Sequence, residues 1–127
     1  MRDEAIGYMK KIVELNSTSC DLNAWLGKMM TEQEHYYESI PYWNAASFKH
    51  NCSGTYIVCL DSLLLSYGHA LPDHPELETE YKKARARGDS VVAELQLQQY
   101  LQEQQQQQQQ HHHKNAHHKQ KHVPKKN

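Results

Sequence analysis

Three sets of residues in this 127-residue chain have the types and spacing for chemistry. Glu32 and His35 form a Glu-x-x-His pair, the spacing that puts both side chains on one face of a helix. Di-iron bundles need two such pairs plus two further glutamates. A single copy on the charged side of a helix falls short of a ligand set, and the expectation is a solvated face with no metal. His69, Asp73 and His74 surround a short loop, an inventory that also serves capping. The chain has no Gly-x-Ser-x-Gly elbow, phosphate-cradling glycine loop or dinucleotide fingerprint. The reading is therefore a non-enzyme with neither catalytic residues nor cofactor.

The cysteines, Cys20, Cys52 and Cys59, are odd in number and show no zinc spacing. On one helix Cys52 and Cys59 would lie about 10 Å apart, beyond the roughly 7 Å Cα reach of a disulfide. Reduced, buried thiols are expected, as in an intracellular protein. The start, Met1 to Gly7, carries charge where a signal peptide needs an apolar run, and no apolar stretch approaches membrane-spanning length. Nucleus or cytoplasm, with no membrane, follows as the expectation.

The elements that position these residues read as helices. Asp3 can cap a first helix carrying Ile6, Met9, Ile12 and Val13, broken at Asn16–Ser19. Ser17 to Ser19 can start a second, with Leu22, Trp25, Leu26, Met29, Tyr36, Tyr37 and Ile40 in its stripe and Pro41 as its end. From Ala45 to Tyr67 one helical face is apolar, although Thr55–Leu60 has strand composition and Gly54 is a plausible break. Helix is favoured because no partner strand exists. Gly68 reads as a helix end, and Asp73 with Glu76 as a capping box ahead of the last helix, with Pro75 in its first turn. That helix carries a seam of Leu77, Tyr81, Ala84, Gly88, Val91 and Leu95, with Lys82, Lys83, Arg85 and Arg87 as an exposed run. The fold class is all-α: a small up-and-down bundle of three to four helices over 1–97, then a Gln/His/Lys-rich tail over 98–127, a fraying helix and then disorder.

Charge separates the two parts. Residues 1–103 hold nine Lys/Arg against fifteen Asp/Glu, a net of −6, while the five tail lysines from Lys114 to Lys126 meet no acid. An acidic body argues against nucleic-acid binding except through the tail. The leading expectation is a protein–protein interaction module, an adaptor or small subunit. Its partner-binding residues are Tyr36, Tyr37, Tyr42 and Trp43, clustered around a helix end, and Val91 and Leu95 on a seam suited to a partner helix or to self-association. The alternative for the four aromatics is core and rim packing at the bundle's end, since consecutive pairs on a helix point two ways. The alternatives are a nuclear regulatory factor with a nucleic-acid-binding tail, and metal binding by His111–His113, His117, His118 and His122.

Overall fold

A computed structural model describes residues 2–122, with side chains for 3–110. Five α-helices and a single 3₁₀ turn make up the described chain, and no strand occurs among the described residues. They are α1 (Arg2–Leu15), α2 (Cys20–Glu32), α3 (Tyr36–Ala46), α4 (Tyr56–Ala70), the turn Pro75–Leu77, and α5 (Glu78–His122). The fold is all-α. The chain divides into one unit over 1–89 and a second over 90–127.

In the first unit α1 packs on α2, α2 on α3 and α3 on α4, the connectivity of an up-and-down bundle. Ile6 and Val13 of α1 are buried with Leu26 and Met30 of α2, flanked by Met9, Leu22, Met29 and Tyr42. Leu60, Leu63, Tyr67 and Ala70 of α4 are buried, as are Ile40, Trp43 and Ala46 of α3 and Ala84 of α5. The Ser39 hydroxyl, fully buried, donates to the Tyr36 carbonyl and lies 3.0 Å from the Ser66 hydroxyl of α4. A small polar pair satisfied in this way lets α3 and α4 meet without orphaning a buried oxygen.

Local chemistry explains where the helices start. Ser19 caps α2, its hydroxyl accepting from the Leu22 amide at 3.3 Å. Behind it the buried Asn23 amide donates to the carbonyls of Ser17 and Ser19, at 3.0 and 2.7 Å, fastening the α1–α2 connection.

Several boundaries differ from the sequence expectation. The break after α2 comes seven residues before Pro41. The His35 amide reaches the Met30 carbonyl at 2.8 Å and the Glu34 amide reaches Thr31 at 3.0 Å, with Glu34 at φ 62°. Those two bonds define a Schellman ending, with Glu34 at the left-handed position usually given to glycine. Pro41 lies inside α3, where its missing N–H leaves the Tyr37 carbonyl without its helical donor. Gly68 does not end α4, which continues to Ala70. His74, not Asp73, precedes the 3₁₀ turn, and no side chain caps it, although Pro75 does occupy the first turn. Thr55–Leu60 is no strand: Thr55 precedes α4, and the helix begins at Tyr56. In the second unit α5 continues through Gln104–Gln110 to His122, consistent with glutamine being a good helix former. The expected disorder at the end of the chain concerns residues outside the described ones.

Candidate functional site

The four aromatic residues, read as a partner surface or as core and rim packing, are sent to different places. Tyr36 is half-buried and stacks on His69 of α4, ring centroids 4.0 Å apart. Tyr37 stacks in the same way on His74 at 3.8 Å and remains 44% exposed. Tyr42 packs against the Ile6–Val13–Leu26–Met30 cluster. Its phenol is pushed above the ordinary value, first by burial and then by Glu14. Trp43 is buried with its ring against α2: a Cβ on Gly27 would stand 2.8 Å from two ring carbons. Helical geometry turns consecutive residues by about 100°, so neighbours in sequence serve different walls. Of the four, only Tyr37 remains exposed.

The candidate chemical groups are likewise dispersed or occupied. Glu32 ends α2 while His35 lies beyond the Glu34 break, so the Glu-x-x-His pair never shares a helix. His69 and His74 are engaged in the tyrosine stacks, and the His74 Nδ1 lies 3.2 Å from a Glu76 carboxylate oxygen. No group of three or more potential metal ligands occurs among the described residues. The side chains of His111–His113, His117, His118 and His122, and the basic end of the tail, lie outside the described ones.

The thiol expectation is overturned. Cys20, at the start of α2, pairs with Cys52 in the α3–α4 connection, with Cα atoms 5.5 Å apart. Only Cys59 is free, and it is buried. Burial pushes its thiol above the ordinary value, against a smaller opposing hydrogen bond from Thr55. A protonated, enclosed thiol is a poor nucleophile.

Arg87, read as part of an exposed charged run, is instead half-buried at the loop following α3, where it lies 4.2 Å over the Phe48 ring. Its neighbours do face water: Lys82 pairs with Glu78 at 3.4 Å and Lys83 with Glu80 at 3.5 Å. No local pattern signals the difference, because Ser47, whose carbonyl and hydroxyl accept from its guanidinium, lies forty positions away.

The apolar seam of α5 is covered in its first turns. Tyr81 meets Tyr67 of α4 with centroids 6.0 Å apart, Ala84 is buried, and the Gly88 backbone comes close to Leu64 and Leu60. In the second unit Val91 is half-buried, but Leu95 is 41% exposed. Val92, Leu97, Tyr100 and Leu101 are all more than half exposed. On helical spacing Val91, Val92 and Leu95 share one side of α5, while Leu97, Tyr100 and Leu101 share another. The sequence reading found the first group and missed the second.

A separate concavity of about 440 Å³ opens between α2, α3 and the start of α4. Its wall includes both tryptophans of the chain, Trp25 and Trp43, with Val58, Thr55 and the Asp21 and Lys28 side chains. The Trp43 indole N–H is buried with no acceptor among the described residues, an omission that costs about 1–3 kcal/mol.

No protein-family model matches the chain, and neither a curated protein nor a solved structure is detectably similar to it. No helix among the described residues is long and apolar enough to cross a membrane.

Proposed function

We propose that this protein is a non-enzymatic interaction module, a small subunit or adaptor of an assembly, and that it engages a helix of its partner through α5 between Val91 and Leu101. The observation that supports the reading is the exposure of Val92, Leu95, Leu97, Tyr100 and Leu101 within eleven residues. Isolated exposed apolar residues are ordinary. Val91, Val92 and Leu95 on one side and Leu97, Tyr100 and Leu101 on the other each form a short apolar stripe. With glutamines and only two acids between Val91 and Gln110, such a stripe is what a coiled-coil or helix-in-groove partner covers. Most helical stability comes from packing of an apolar face, so a partner would also stabilise the segment that binds it. The aromatic residues of α3 serve the bundle itself, with Tyr37 as the one candidate for a second contact.

The proposal places the assembly inside the cell, in nucleus or cytoplasm. A persistent Cys20–Cys52 bond would instead suit an oxidising compartment. The partner contact on α5 uses neither cysteine and is the same in both.

The test uses the full chain and a Leu95→Arg/Leu101→Arg variant, compared by sedimentation velocity and by partner retention in native purification. Both side chains face solvent, so the variant should keep its helical signal and melting temperature while losing the associated partner or second copy. Undiminished association would contradict the reading.

A further inference from the structure

The concavity between α2, α3 and α4 is not needed for the α5 contact, and its composition suits a ligand of its own. Small-molecule sites are concave, mostly apolar and of a few hundred Å³, with a few polar groups that fix orientation. Here the apolar walls are the indoles of Trp25 and Trp43 with Ala24 and Val58. Trp43 is only 7% exposed, and its ring is seated tightly on the Gly27 backbone, so that wall is preorganised. Trp25, on the same side of the cavity, is 61% exposed, a large indole left in water at the rim.

Three polar groups of the residues lining this volume make no side-chain hydrogen bond or ion pair among the described residues. The Trp43 N–H is shielded and has no acceptor. Lys28 and Asp21, both lining the cavity, form no ion pair among the described residues. Seven positions along α2 set the two residues about 10 Å apart along the helix axis, so an anion on Lys28 is not held against Asp21. Asp21 lies in the first turn of its helix, where the backbone dipole already favours a negative charge. Lys28 has no such compensation.

We infer that this cavity is a binding site for a small amphiphilic carboxylate, its apolar body held between Trp25, Trp43 and Val58 and its anionic end on the Lys28 ammonium and the Trp43 indole N–H. A neutral or cationic analogue forfeits the charge-assisted hydrogen bond to Lys28, the strongest polar contact on offer.

The two indoles are the only ones in the chain, so two indole cross-peaks in an amide correlation spectrum report the site directly, assigned with Trp25→Phe. Decanoate, below its micellar concentration, is the probe, compared with decanol and decylamine. Decanoate should move the Trp43 indole proton downfield in a saturable way, as a new hydrogen bond does, and shift tryptophan emission. Lys28→Met should weaken decanoate about tenfold or more while leaving decanol unchanged. Val58→Trp, made at an exposed position, should fill the cavity and abolish binding of both without loss of helical signal. The inference is overturned if the Trp43 resonance does not move, if decylamine or decanol binds as tightly as decanoate, or if Val58→Trp binds normally.

Discussion

Arg87 of α5 holds Ser47 from forty positions away. One guanidinium nitrogen donates to the Ser47 carbonyl at 2.7 Å and the other to its hydroxyl at 3.0 Å. The same group lies over the Phe48 ring, so one side chain fastens the start of the α3–α4 connection to α5. Burial lowers its pKa, with Tyr67 opposing, yet a guanidinium stays charged at any working pH.

Arg87→Ala should destabilise the bundle by about 1–3 kcal/mol, the cost of leaving a partly buried carbonyl unpaired. Arg87→Lys should recover little, because an ammonium cannot make two parallel bonds and stack on Phe48 together. Urea denaturation of the two variants checks both. A fully stable Arg87→Lys would show that the charge, and not the fork, matters.

Glu34 sits at φ 62° in the turn between α2 and α3. A side chain in that conformation meets a steric cost that glycine avoids, so Glu34→Gly should raise stability by about 0.5–1 kcal/mol despite the looser unfolded chain. Thermal melts read the change. A loss of stability would mean that the α2 ending is not the one described.

The Cys20–Cys52 bond closes a loop spanning 32 positions. On the chain-entropy account it contributes about 3–4 kcal/mol, so reductant should lower the denaturation midpoint of the native chain. The Cys20→Ser/Cys52→Ser variant should be insensitive to it. Mass spectrometry of an unreduced digest should find the Cys20 and Cys52 peptides joined and Cys59 free.

Alkaline pH probes the contact between α4 and α5. Burial raises the Tyr67 phenol above its ordinary value of 10.0, with Glu80 pushing the same way and Arg87 opposing. The unfolded chain therefore gives up this proton first. Stability is fully present below pH 10.0 and is lost as pH rises through the higher folded value. Tyr42 and Cys59, both raised mainly by burial, add the same sign. Tyr67→Phe should make the alkaline loss shallower in denaturation curves recorded across that range. An unchanged slope would remove Tyr67 from the account.

What sequence could show of this fold was whatever depends on near neighbours. The α5 seam through Tyr81, Ala84 and Gly88 was readable because helical spacing alone puts those positions on one face, and the Ser19 cap because its oxygen serves an amide three residues on. The α2 ending was hidden, since glutamate is not a residue that announces a left-handed turn. Pro41, which should have stopped a helix, is tolerated within α3 because packing against α2 and α4 outweighs one lost backbone bond. The Cys20–Cys52 pairing and the Arg87 anchor were invisible for one reason: each joins segments more than thirty positions apart, and no local pattern encodes such a meeting. The consecutive aromatics of α3 face several walls for a local reason, the turn of about 100° between neighbours on a helix.

The central claim is that a partner helix covers α5 between Val91 and Leu101. Hydrogen exchange of backbone amides 90–103, measured on the purified chain and on its native complex, tests it most directly. The account predicts that these amides exchange much more slowly in the complex, with the α2–α3 amides little changed. Equal exchange across 90–103 in the two samples would contradict it.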